Sequence, residues 1–243
     1  MVERRWVDLD GARLHYQRAG AGTPVLLIHG LSASSRWWER NIAALAERFE
    51  VYVIDLFGFG RSRRQQRFVL NEAAALLVHW MDALGIERAH IVGHSMGGFI
   101  AVQLAAGFPE RVSRLVLVDA AVPLPRQSPL RHATRLGREL RATPPRFLPL
   151  LATDALRAGP WTILTAAEQL LTADIEPELA GIRAPVLLIW GERDTLVPTT
   201  VADKLVELLP DARLVMISGA GHTPMWERAA EFNNAVIAFL SGS

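Results

Sequence analysis

Short apolar runs recur along the chain: Val25 to Ile28, Val51 to Ile54, His90 to Val92, Leu115 to Val118 and Val186 to Ile189. Each is mostly branched and four residues or fewer, the pattern of strands buried on both faces. Between them lie stretches in which apolar residues return every three or four positions, such as Trp38 to Phe49, Glu72 to Leu84 and Phe99 to Ala106, which predict helices. Alternation of this kind predicts an α/β fold with a mostly parallel sheet and helices on both faces. Residues 4 to 9 and 12 to 18, joined by Asp10-Gly11, predict an antiparallel hairpin at a sheet edge. A last helix is expected over Pro224 to Leu240, with Ala229, Phe232, Val236 and Phe239 on one stripe.

The alternation stops between Val122 and Gly181, where eight of the 14 prolines fall and no strand-like run occurs. Proline-interrupted short helices are expected there. The pattern divides the chain into a core of residues 1–121 and 182–243 and an inserted helical lid of residues 122–181. The first lid helix sets Leu130, Ala133, Leu136 and Leu140 on one face and Arg131, Arg135 and Arg138 on the other, a solvated stripe opposite an apolar one.

Length and composition suit one large domain: 243 residues, half of them hydrophobic. The net charge of +1 gives no electrostatic ground for a nucleic-acid partner. Lys204 is the sole lysine, an arginine bias that speaks of genome or habitat rather than function. The absence of cysteine removes disulfides and thiolate chemistry. No apolar run approaches the roughly 20 residues of a membrane span, and the N-terminal residues do not build a signal peptide, so a cytoplasmic protein is expected. Oligomeric state is not legible.

Gly93-His94-Ser95-Met96-Gly97 joins a predicted strand to a predicted helix. This is G-x-S-x-G in the setting where glycines two before and two after a serine permit a sharp turn that presents its hydroxyl. A serine nucleophile needs a base, and the base an orienting acid. Asp194 follows the strand Val186 to Trp190, and His222 follows the strand Arg213 to Ile217, so both reach the sheet edge that carries Ser95. The amides of Leu31 and Met96 are the candidate oxyanion donors, with Gly30 allowing close backbone approach. Gly30, Leu140, Trp161, Leu196 and Val197 are the candidate substrate-binding residues. The seven histidines show no pair at metal-ligand spacing on one helix, so neither metal nor cofactor is expected.

His29-Gly30, Asp55 to Ser62, Gly93 to Gly98, Asp194 and Gly221-His222 together resemble the α/β-hydrolase superfamily over essentially the whole chain, and more narrowly its lid-bearing bacterial serine esterases. The resemblance implies an eight-stranded, mostly parallel sheet, a lid after the sixth strand, a Ser-His-Asp triad and no cofactor. It makes Asp55 to Ser62 a structural loop, puts Arg36 and Trp37 near the first long helix, and puts Trp38 in the core. Some members carry the acid after the sixth strand, where Asp119 stands; Asp194 occupies the more usual loop and is preferred. Serine at the elbow separates the chain from similar dehalogenases and epoxide hydrolases that use aspartate.

Three functions follow. The leading expectation is hydrolysis of a small-molecule, mainly apolar carboxylic ester through an acyl-enzyme on Ser95. Carbon–carbon bond hydrolysis is the alternative: Trp226 suits it, but Thr223 stands where those enzymes carry an aromatic residue directly after the histidine. A receptor-like protein that binds a ligand without turnover is the alternative of another class.

Overall fold

The computed structural model describes residues 1–122, 129–209 and 211–242, with only the backbone for residues 129–133. Residues 123–128 of the expected insertion, and the side chains of Leu130, Arg131 and Ala133, therefore lie outside the described residues. Eight strands, β1 (Glu3–Leu9), β2 (Ala12–Ala19), β3 (Pro24–Ile28), β4 (Glu50–Ile54), β5 (Ala89–His94), β6 (Val112–Val118), β7 (Val186–Gly191) and β8 (Arg213–Ile217), form one sheet in the order β1-β2-β4-β3-β5-β6-β7-β8. Strands β1 and β2 pair antiparallel, β2 runs antiparallel to β4, and every other pairing is parallel. Asp10 and Gly11 both hold positive φ, 52° and 87°, as a two-residue hairpin turn matched to strand twist requires.

The central strands bury both faces, and their period of two distributes side chains between two cores. Leu26, Ile28, Ile91, Leu115, Leu117 and Leu188 enter one. Val25, Leu27, Val92, Val116, Leu187 and Ile189 enter the other. Helices α1 (Ile42–Leu45), α2 (Ala73–Ala83) and α3 (Met96–Gly107) precede β6. Between β6 and β7 come α4 (Pro129–Ala142), α5 (Leu148–Ala158), α6 (Pro160–Thr172) and α7 (Glu176–Leu179), with no strand among the described residues there. Helices α8 (Thr199–Leu208), α9 (Pro224–Glu227) and α10 (Ala229–Leu240) complete the chain.

Two helical expectations need correction. Trp38 to Phe49 yields only the single turn α1, after a 3-10 turn at Ser35–Trp38. Asn41 precedes α1 without a side-chain cap, and its amide nitrogen donates to Met225 O at 2.9 Å and Asn233 Oδ1 at 2.8 Å. Pro224 to Leu240 is two helices, divided at Arg228 (φ −129°, ψ 50°). At Asn41 tertiary contacts override the local periodicity. Trp38 is fully buried, as expected.

The helices between β6 and β7 are fastened to the rest of the molecule by polar and aromatic ties. Asp154 of α5 is buried and accepts from Ser34 Oγ at 2.6 Å and Arg36 Nη1 at 3.3 Å. Gln169 of α6 accepts from the Leu70 amide at 2.8 Å. Phe147 lies against Trp37 and Trp226, with ring centres 4.8 and 4.9 Å apart. Each polar tie satisfies a group whose burial unpaired would be costly.

Candidate active site

Ser95 stands between β5 and α3 with φ 53° and ψ −117°, a conformation that L-residues rarely adopt and that costs roughly 1–3 kcal/mol. The surroundings enforce it. A Cβ at Gly93 would lie 2.3 Å from Gly97 O, and one at Gly97 would lie 2.4 Å from Ile28 O, so only glycine lets the turn close against β3. The Ser95 amide donates to Val118 O at 3.0 Å, which pins the turn to the end of β6.

Asp194 and His222 leave the carboxyl ends of β7 and β8, the sheet edge that also holds Ser95. His222 Nδ1 donates to Asp194 Oδ2 at 2.7 Å, and Asp194 Oδ1 accepts from the amides of Leu196 (2.8 Å) and Val197 (2.9 Å). Burial alone raises the Asp194 carboxyl, but the His222 ring and these hydrogen bonds overcome it, and its pKa falls below the usual value. Burial likewise opposes a charged His222, yet Asp194, with Glu139 and Glu227 beyond, raises its pKa above the ordinary imidazole value. Ser95 and His222 line the same cavity, and no hydrogen bond joins their side chains, a looseness common without substrate.

Asp119, the other carboxylate considered for the acid, stands at φ 42° just past β6 and is fully buried. Its Oδ1 accepts from the Gly191 amide at 2.9 Å, while its Oδ2 has no partner. Burial, reinforced by the negative charge of Asp194, pushes its pKa well above the ordinary carboxyl value. Among the described residues, Asp119, Asp194 and His222 are the one group whose donor atoms gather within 4.8 Å. Ligand bonds of about 2.0–2.2 Å hold an ion's donors further apart than the 2.7 Å between His222 and Asp194, so these two read as a hydrogen-bonded pair rather than as ligands of one ion.

Three residues of this site were not distinguished by the sequence. His94 is buried and donates from Nε2 to the His222 carbonyl at 2.8 Å. Burial drives its pKa down to about 3, so the ring is neutral. His29 donates from Nδ1 to Gly30 O at 2.8 Å and accepts the Leu56 amide at 3.1 Å, which fixes its tautomer and the chain entering Leu31. Glu139, on α4, is buried and accepts from the backbone amide of His222. His94 inside the elbow motif and His29 beside Gly30 stand within motifs of the sequence, whereas Glu139 carries no signal.

The cavity beside Ser95 encloses about 300 Å³ and is walled by Leu31, Trp37, Leu136, Leu140, Phe147, Leu170, Leu196 and Val197, with Glu139 and Thr223. The amides of Leu31 and Met96 donate to no protein acceptor among the described hydrogen bonds. Gly30 does not line the cavity. It packs behind the wall, where a Cβ would meet His94 Nδ1 at 2.9 Å and Ser95 Cβ at 3.1 Å. Trp161 is likewise displaced from its expected place in the roof. It is 74% exposed and lies beside Arg63 to Phe68, because α6 turns Ala167, Leu170 and Leu171 to the cavity and Trp161 begins the helix, roughly 9 Å along its axis from Ala167. Trp226 is buried beneath Arg40, whose guanidinium lies 4.1 Å from its ring, and is absent from the cavity wall.

Comparison with known proteins adds lineage to this geometry. A family model described as the alpha/beta hydrolase family matches residues 25–235. The chain is 34% identical to the 2-hydroxy-6-oxo-6-phenylhexa-2,4-dienoate hydrolase of Comamonas testosteroni, over 96% of this chain and 93% of the relative. It is 33% identical to a 2-hydroxy-6-oxononadienedioate/2-hydroxy-6-oxononatrienedioate hydrolase of Burkholderia vietnamiensis, over 94% and 91%. Among solved structures, a membrane phospholipase A described as a bacterial virulence factor superposes with a TM-score of 0.85 at 30% identity, covering 99% of this chain and 86% of that one. The enol-lactonase of Burkholderia xenovorans LB400 superposes with a TM-score of 0.81 at 27% identity, covering 98% and 100%.

Proposed function

Because the chain belongs to the α/β-hydrolase family, we propose that it is a serine hydrolase in which Ser95 attacks the carbonyl carbon of a largely apolar substrate. His222 takes the Ser95 proton, Asp194 holds His222 in the productive tautomer, and the amides of Leu31 and Met96 receive the oxyanion. The leaving group departs with the proton carried by His222, and water then releases the acyl-enzyme. The helices between β6 and β7 act as a lid over this site, within the insertion of residues 122–181. Neither metal nor cofactor enters the reaction.

The similarity over almost the whole chain to hydrolases of 6-oxo dienoates carries the first reading of the substrate. Such compounds contain no ester, so water divides them only at a carbon–carbon bond beside the ketone, and the conjugated fragment leaves as a stabilised carbanion that His222 protonates. This favours the carbon–carbon alternative over the ester that the residues alone suggest. Thr223 in place of an aromatic residue weighs against that alternative, one position set against similarity over almost the whole chain.

A second reading retains ester hydrolysis because of the cavity. Its described lining contains Glu139 and neither lysine nor arginine, a wall better suited to an uncharged ester than to a carboxylate-bearing dienoate. Parallel assays with 2-hydroxy-6-oxo-6-phenylhexa-2,4-dienoate and with p-nitrophenyl esters of increasing length, each against Ser95→Ala, decide between them. Ser95-dependent turnover of the dienoate supports the first reading, and of the esters alone the second. No turnover of either, together with a Ser95 inert to fluorophosphonate, rejects the serine-hydrolase reading and leaves a ligand-binding protein.

A further inference from the structure

The backbone of the loop that carries His222 is held by two carboxylates from different parts of the chain. Glu227, on the following helix α9, accepts the amides of Gly221 (3.1 Å) and Thr223 (3.3 Å) and the Thr223 hydroxyl (3.0 Å). The amide between them, that of His222 itself, donates to Glu139 Oε1 at 3.1 Å. The other oxygen, Oε2, accepts from Thr195 Oγ1 at 2.9 Å and from the Thr195 amide at 3.3 Å. Thr195 directly follows Asp194. One carboxylate on α4 therefore grips the loop of the acid and the loop of the base together. A Cβ at Gly221 would come within 3.0 Å of Glu139 Oε1, so the glycine before the histidine keeps room for this contact.

We propose that Glu139 is a positioning residue that makes the seating of α4 and the alignment of His222 with Asp194 a single event. The proposal rests on those two residues acting as base and acid. With α4 seated, His222 is fixed at three points: its amide by Glu139, its carbonyl by His94 and its ring by Asp194. With α4 displaced, the first fixing point is lost and Thr195 loses its acceptor, so both catalytic loops loosen at once. Because Glu139 also lines the cavity, a substrate that presses α4 into place improves the alignment that acts on it.

Charge gives this arrangement a signature. His222 is faced by Asp194 and Asp119 from the strand ends, by neutral His94 from the elbow, by Glu139 from α4 and by Glu227 from α9. Glu139 helps to favour protonated His222. Glu139→Gln keeps the shape but removes that charge and one acceptor, since an amide nitrogen cannot accept from a donor. Thr195→Val breaks the hydroxyl contact and leaves the charge in place.

The test measures kcat and KM, fluorophosphonate labelling of Ser95, the ring titration of His222 by NMR and the exchange of its backbone amide, in the full chain and the variants Glu139→Gln, Glu139→Ala and Thr195→Val. Glu139→Gln is expected to lower kcat on the order of tenfold with little change in KM, the size of one hydrogen bond to a charged group. It should also shift the His222 titration to lower pH and speed exchange of its amide. Thr195→Val should lower kcat without moving that titration. Wild-type kcat and an unmoved titration in folded Glu139→Gln overturn the proposal. So does a fall in kcat with the titration unmoved, because Glu139 is then merely structural. If Ser95 of the unaltered protein is not labelled, the serine-hydrolase reading fails, while the titration and amide exchange still decide whether Glu139 grips His222.

Discussion

Asp119 and Asp194 leave adjacent strands at the same sheet edge, yet Asp194 alone is hydrogen-bonded to the ring of His222, at 2.7 Å. Asp119 instead spends one oxygen on the Gly191 amide and leaves the other without a partner. Asp194→Asn is expected to lower kcat by on the order of 10⁴-fold, the scale seen when a serine protease's orienting aspartate is replaced, because asparagine favours the wrong imidazole tautomer. Asp119→Asn should cost far less. Rates of the two folded variants on one substrate check the order, and the reverse order would move the acid to Asp119.

The same pair sets the pH dependence of stability. Asp194 has a lowered folded pKa, so its contribution is present above its unfolded value and is lost as pH falls through the folded one. Asp119 has a raised folded pKa, so its contribution is full below its unfolded value and is lost as pH rises through the folded one. Asp119→Asn, which mimics the protonated acid, should thus gain stability relative to the unaltered protein as pH rises. Thermal unfolding of both between pH 5 and 9 tests this, and parallel curves would refute it.

Activity should follow His222. Its raised pKa means that the neutral base forms only above the ordinary imidazole range, so kcat/KM should rise with pH through a midpoint above about 6.5. His94, held near 3, contributes nothing to that limb. A profile of kcat/KM against pH provides the check; a midpoint at or below 6.5 would contradict the charge arrangement around His222.

Substrate range should respond to Leu140 and not to Trp161. Leu140 lines the cavity, whereas Trp161 lies outside it. Leu140→Ala should alter the chain-length dependence of kcat/KM by up to roughly 1–3 kcal/mol per methylene accommodated, with kcat nearly unchanged. Trp161→Ala should reproduce the unaltered profile. A changed profile in Trp161→Ala would mean that α6 presents a different face to the substrate.

Much of this arrangement is legible in the chain because it is local. The strands follow from runs such as Val25 to Ile28, the hairpin from Asp10-Gly11, and the elbow around Ser95 from glycines whose neighbours forbid a Cβ. Asp194 and His222 could be paired because parallel strands bring their carboxyl ends together. Glu139 could not, since it meets His222 across 83 residues and Thr195 across 56, from a helix whose own pattern reads as an ordinary amphipathic surface. Trp161 misleads for a related reason: periodicity states that a helix has an apolar face without stating which end covers the site. The break at Asn41 arises where a side chain serves partners 184 and 192 residues away, information that no local window contains.

Three non-glycine residues, Ser32, Ser95 and Asp119, hold φ of 56°, 53° and 42° beyond the ends of β3, β5 and β6, which are neighbours in the sheet. At roughly 1–3 kcal/mol each, this edge carries strain that a domain with only modest net stability feels as a whole. Glycine would relieve it at each position and, at 95, remove the proposed nucleophile with it. A population of variants screened for heat resistance alone should therefore drift toward inactive proteins along this edge, while a screen that also demands turnover has to find its added stability elsewhere in the molecule.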